Sequence, residues 1–150
     1  MQRLAIACLA GAAVAVATFS LSMADGHSPI EQRQAAMKTV GKSTKTLGDM
    51  VKGASPFDAA AASAALVDMQ TAVATYGELF PEGSETGFET EAKDTIWSDR
   101  TGFDAVLATF KSEIDGAIAA APADQAALAA EFGDIGKTCG TCHQTYRVKK

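Results

Sequence analysis

Near the C-terminal end of this 150-residue chain stand Cys139, Gly140, Thr141, Cys142 and His143, two thiols and an imidazole spaced as C-x-x-C-H. That spacing is the attachment signature of a c-type haem. Two thiols add across the two vinyl groups of one porphyrin, and the next side chain brings an imidazole within reach of the iron. On a helix Cys139 and Cys142 stand at i, i+3 and Cys139 and His143 at i, i+4, so all three share one face. A redox or gas-binding haem protein is the leading reading.

Two other chemistries use the same residue types. A thioredoxin-like dithiol needs its C-x-x-C at the start of a helix in a βαβ context, where the dipole lowers a thiol pKa. Here the pair closes a long helical pattern with no strand before it. A structural zinc site needs four ligands, and the candidates are Cys139, Cys142, His143 and His27. His27 sits beside an expected processing site and reads as a solvated terminal residue.

Hydrophobic positions recur at steps of three and four with almost no β-branched alternation, which predicts four helices. The first begins at Ser28-Pro29, a cap followed by a proline at the first helical position. It carries Ile30, Arg33, Met37, Val40, Thr44, Leu47 and Val51 on one stripe as far as Gly53. The second is expected from Ser55-Pro56 through Ala62, Leu66, Met69, Val73, Tyr76 and Phe80 to Pro81. A turn-rich loop from Pro81 continues to about Thr95. The third helix is expected from Ser98-Asp99 with Phe103, Leu107, Phe110, Ile114, Ile118 and Ala121 inward, ending near Pro122. The fourth runs from Asp124 with Leu128, Phe132, Ile135, Cys139, Cys142 and Tyr146 on its core stripe. The expected fold is all-α, an antiparallel up-down-up-down four-helix bundle with covalently bound haem in its core. Small residues on the inner faces let the helices close up where no cofactor intervenes.

The N-terminus is expected to be removed. Arg3 precedes the apolar run from Leu4 to Leu21, and Ser22-Met23-Ala24 places small residues where a signal peptidase reads them. Residues 1–24 are therefore expected to leave as a secretory signal peptide, taking Cys8 with them. Residues 25–150 then form one domain, since no second composition block or repeat appears. Losing Arg3 takes 13 basic residues to 12 against 18 acidic ones, for a formal charge of −6. This argues against nucleic acid, and after signal removal an anionic membrane surface, as partners. The expected compartment is a bacterial periplasm, where c-type haem is attached.

The mature chain resembles the class II c-type cytochromes, the cytochrome c-prime family with its low-spin relatives. The matching residues are Arg33 to Lys38 with Gly41, Leu47-Gly48 to Lys52-Gly53, Pro56-Phe57-Asp58, Phe80 to Ser84, Thr90 to Lys93, Ile96-Trp97 and Cys139 to Arg147. A C-terminal haem motif sets this class apart from the small class I cytochromes, which carry theirs near the N-terminus. The resemblance implies one haem c held by thioethers at Cys139 and Cys142, with His143 as proximal ligand. It also implies contacts to haem or its propionates from Arg33, Gln34, Thr90 and Glu91. Arg33 is awkward on an apolar stripe unless a propionate or carboxylate meets it or it snorkels to solvent.

Function turns on the sixth iron position. Low-spin members of the family fill it with a methionine thioether and carry electrons; cytochrome c-prime leaves it open and binds nitric oxide or carbon monoxide. In an up-down-up-down bundle the first helix starts where the fourth finishes. Met37 and His143 each lie on the order of 11 Å from that shared end at 1.5 Å per residue. Met50 lies roughly 20 Å further along, and Met69 is deeper than His143 on the second helix. Met37 is thus the expected second ligand, and an electron carrier the expected function, with gas binding at an open iron as the alternative.

No enzyme is expected, because Arg33, Val40, Gly41 and Thr44 flank Met37 and supply no distal histidine. A basic cluster of Lys137, Arg147, Lys149 and Lys150 either complements the fourth helix's dipole or helps a redox partner dock transiently. The resemblance implies that a homodimer can form through the first two helices.

Overall fold

The computed structural model describes residues 28–149; the expected signal peptide, Cys8 and His27 lie outside the described residues. Four long helices form the body: α1 (Pro29–Val51), α2 (Ala59–Val73), α4 (Arg100–Ala120) and α5 (Gln125–Tyr146). A single turn, α3 (Thr95–Ser98), and a 3-10 turn at Tyr76–Leu79 lie in the long middle connection. Helix α1 packs on α2 and α5, and α4 packs on α2 and α5, which closes the four into the expected bundle.

Local chemistry sets the helix starts. Ser28 and Glu31 make a reciprocal capping box on α1, with the Ser28 hydroxyl accepting from the Glu31 N–H at 3.2 Å and Glu31 accepting from the Ser28 N–H at 2.9 Å. Such a cap is worth about 1 kcal/mol. Asp99 and Asp124 cap α4 and α5 as expected. Ala121 takes a left-handed conformation, φ 44°, to end α4 before Pro122.

The second helix is shorter than its sequence pattern at both ends. It begins at Ala59 rather than Ser55-Pro56, because the Asp58 side chain, accepting from the Ala61 N–H at 3.0 Å, is the cap. It ends at Val73 rather than running to Phe80, and the chain tightens into the 3-10 turn. The carbonyls released there find side-chain donors on α4: Lys111 reaches Ala74 O and Arg100 reaches Gly77 O, each at 2.7 Å. Such partners let the last turn of a helix change pitch without leaving its acceptors bare.

The core is built from Leu47, Leu66, Met69, Ile114, Leu128 and Ile135, all at most 1% exposed. Small residues close the helix contacts, among them Ala62, Ala65 and Ala117 in the core. At Gly48 on α1 an added Cβ would already lie 3.7 Å from the Phe132 ring on α5. Stripe positions drift in detail: Met50 and Thr138 are buried, while Val51 and Phe132 are half-buried. At the other end of α1 an edge-to-face series links Tyr76, Phe80, Phe103 and Tyr146, with successive ring centroids 5.0 to 5.4 Å apart. Trp97 joins it through Phe80 at 5.8 Å.

Candidate cofactor site

A cavity of about 600 Å³ opens between α1, α4 and α5, within the ~300–1,000 Å³ span of small-molecule and cofactor sites. Apolar side chains make most of it: Val40 from α1, Phe103, Val106, Leu107 and Phe110 from α4, and Phe80 from the middle connection. Helix α5 presents Cys139, Cys142 and His143 to the same space. The structure thus brings together the three residues of the motif, and Met37 faces the cavity from α1. Among the described residues Met37 is the one methionine lining it, whereas Met50 and Met69 are packed in the core at 4% and 0% exposure.

Both cysteines are free thiols, half-buried near the end of α5. Burial raises the Cys139 pKa, with Glu113 adding to it, and pushes that of Cys142 up to about 11, with Cys139 adding to it. These are neutral thiols at the wrong end of a helix for dithiol exchange, which needs a depressed pKa. The His143 pKa is lowered by partial burial and by Arg147, against a smaller pull from Glu91. Its imidazole is therefore neutral at neutral pH, with a lone pair free for a metal. An apolar slot, two unpaired thiols and a neutral imidazole on one helix face are what a covalently held haem requires; Cys139, Cys142 and His143 are the residues that could hold it.

The four polar residues expected to meet haem or propionate sit at the cavity rim, mostly bound to one another and to the middle loop. Arg33 is 3% exposed. It donates through Nη1 to Leu79 O at 3.2 Å and Ser84 Oγ at 3.1 Å, and through Nη2 to Ser84 O and Thr90 Oγ1 at 2.8 Å. Its guanidinium carbon lies 4.7 Å from the Phe80 ring centroid and 5.6 Å from that of Trp97. It therefore does not snorkel to solvent; its donors take neutral oxygens and its guanidinium faces two aromatic rings. Burial lowers its pKa, with Tyr76 and Glu85 opposing.

Gln34 donates to Phe88 O at 2.8 Å, which holds the loop where Gly87, Phe88 and Glu89 all have positive φ. Thr90 accepts from Arg33, and Glu91 accepts from Arg147 Nε at 2.6 Å. Of the basic cluster, Arg147 is thus paired with Glu91, and Lys137 with Asp134 one turn away at 2.6 Å. The backbone repeats the Arg147 contact, since Ala92 and Arg147 form an antiparallel bridge and Val148 N donates to Glu91 O at 2.8 Å.

Sequence reasoning missed four contributors. Ser84, two of whose oxygens take Arg33, belonged to a matching stretch but carried no expected role. Tyr76 and Phe80 line the cavity from outside the helix they were assigned to. Thr138, 8% exposed, donates to Glu113 Oε1 at 2.9 Å, and the buried Glu113 Oε2 has no hydrogen-bond partner. Only the i, i+1 adjacency of Thr138 to Cys139 could have flagged that pair. Among the described residues no helix is long and apolar enough to cross a membrane.

Comparison with known proteins agrees with this geometry. A family model for cytochrome C' matches residues 28–147. A cytochrome c-556 of Agrobacterium fabrum is 41% identical over 121 residues, covering 81% of this chain and 82% of that protein. The crystal structure of cytochrome c' from Rhodopseudomonas palustris superposes with a TM-score of 0.78 at 33% identity, covering 83% of this chain and 98% of that one. A nitric oxide complex of a cytochrome c prime variant from Alcaligenes xylosoxidans gives 0.72 at 34% identity, covering 81% and 94%.

Proposed function

The chain belongs to the cytochrome c' family of class II c-type cytochromes, and within that family we propose that it is a mono-haem electron carrier whose iron is ligated by His143 and Met37. The observation that carries this reading is Met37: among the described residues it is the methionine that shares the cavity with His143. When bound, haem c supplies a one-electron iron couple, and a thioether ligand raises its potential.

The chain's own residues then have distinct tasks. Cys139 and Cys142 would hold the porphyrin through thioethers, keeping the cofactor in place through repeated oxidation and reduction. His143 offers a neutral nitrogen and Met37 a soft, polarisable sulfur from the facing helix. Val40, Phe103, Leu107 and Phe110 keep water from the centre, which limits reorganisation on electron transfer. Arg33 supplies a positive charge at the rim, where it can offset propionate charge while its donors hold the middle loop. With Met37 filling the position opposite His143, the reading is a carrier rather than a catalyst.

Export follows from the same reading: residues 1–24 are removed as a signal peptide, residues 25–150 fold as the single domain, and haem is attached in a bacterial periplasm. Redox partners dock transiently at the cavity rim, and a homodimer forms through the first two helices.

A second reading is favoured by the nitric oxide complex among the similar structures. In it Met37 only packs, and the iron opposite His143 is open to nitric oxide or carbon monoxide. Optical spectra of the purified ferric and ferrous protein, with and without carbon monoxide, separate the two. A split low-spin ferrous spectrum indifferent to the gas, with a methionine-to-iron band in the ferric form, is the expected result. A broad high-spin spectrum that shifts with the gas overturns methionine ligation in favour of the open site.

A further inference from the structure

We propose that Asp99, at the start of α4, is a positioning residue for His143, acting through the hydroxyl of Tyr146. The proposal rests on the haem-ligand reading of His143 and goes beyond it. The Asp99 carboxylate has two tasks. Its Oδ1 accepts from the Gly102 N–H at 3.1 Å and caps α4, while its Oδ2 accepts from the Tyr146 hydroxyl at 2.9 Å. The Tyr146 ring is 5% exposed, lies edge-on to Phe103 with centroids 5.4 Å apart, and lines the same cavity as Cys142 and His143.

The reason such an anchor matters lies in where the covalent links stop. Thioethers at Cys139 and Cys142 would tie α5 to the cofactor up to Cys142. His143 is the first residue beyond them and sits in the last turn of α5, where helices fray because their carbonyls lack partners. Lys93 N and Lys93 Nζ do donate to the carbonyls of Tyr146 and Gln144, at 3.0 and 2.9 Å, and the Thr95 hydroxyl to Thr145 O at 3.1 Å. Those bonds hold the backbone of the turn, and the Arg147–Glu91 pair with the Val148 N–H to Glu91 O bond continues the hold past its end. The Asp99–Tyr146 bond adds a side-chain tether from the cavity face of α5 to α4. Tyr146 lies four residues after Cys142 and three after His143, so fixing its side chain sets the azimuth at which His143 leaves the helix.

Gly102 is the signature of this arrangement. A Cβ at that position would stand 2.3 Å from Asp99 Oδ2 and 2.6 Å from the Tyr146 hydroxyl, closer than side-chain carbons approach such atoms. The backbone of Gly102 is ordinary right-handed helix, so conformational freedom does not call for glycine there. Space for the carboxylate and phenol does, in a helix where alanine would otherwise be favoured.

The test uses the haem-loaded protein and three variants. Tyr146→Phe removes one oxygen and keeps the ring; Gly102→Ala displaces the carboxylate; Asp99→Asn keeps both an acceptor for the cap and a partner for the phenol. Two signals are read: the line shape of the ferric haem in frozen-solution electron paramagnetic resonance, and hydrogen exchange of the amides from His143 to Arg147. Tyr146→Phe is expected to broaden the resonance and speed that exchange about ten-fold, with Asp99→Asn close to the parent. Gly102→Ala should follow Tyr146→Phe, which carries the test alone if Gly102→Ala does not fold. Parent-like resonance and exchange in Tyr146→Phe, whatever its unfolding midpoint, would overturn the proposal. A parent lacking covalent haem overturns the site reading itself, whereas a haem-loaded parent with unchanged variants overturns this inference alone.

Discussion

The Arg33 guanidinium lies over the Phe80 ring, its central carbon 4.7 Å from the centroid, so a charge on the apolar stripe of α1 is faced by an aromatic ring. The same side chain takes Leu79 O, Ser84 and Thr90. It joins α1 to the far side of the middle connection.

Replacing Arg33 with leucine is therefore expected to destabilise the protein by about 1–3 kcal/mol, the usual cost of leaving buried acceptors without donors. Urea unfolding of the haem-loaded protein measures it. A change below about 0.5 kcal/mol, the range of ordinary surface substitutions, would mean that the loop is held by other contacts.

Met37→Ala should open one coordination position. The expected variant is high-spin and takes up carbon monoxide quickly, while the parent does not. A variant whose spectrum and gas affinity match the parent's would reduce Met37 to packing.

Cys139→Ala combined with Cys142→Ala should yield protein free of covalent haem. Denaturing gels stained for haem peroxidase activity check this directly. A normal haem band in the double variant would move the attachment site elsewhere.

Acid should weaken the chain made without haem, in part through His143. Its folded pKa lies below the ordinary value near 6.5, so the unfolded chain binds the proton first. Stability then rises with pH through the window below about 6.5, modestly because His143 is exposed and solvent screens its neighbours. His143→Gln should flatten that slope in urea unfolding between about pH 5 and pH 7. An unchanged slope would assign the acid sensitivity to other groups.

Helices α1, α4 and α5 were legible because their information is local. Ser28, Asp99 and Asp124 cap them within three residues, and a step of three or four places an apolar residue on a face whatever it packs against. The second helix was misjudged at both ends, since Asp58 competed successfully with Ser55-Pro56 as a cap and α4 supplied the donors that ended it early. Those donors come from residues more than 20 positions away, beyond any local pattern.

The sequence by itself determined the chemistry on offer: two thiols and an imidazole on one helical face, a methionine at the matching level of another helix, and an all-α chain to carry them. What only the tertiary structure decided is how the rim is wired. Arg33 reaches across 51 residues to Ser84, and Tyr146 across 47 to Asp99. Periodicity orders side chains along one helix and says which face they share, but the partner of a buried polar group depends on which distant segment folding brings within about 3 Å of it.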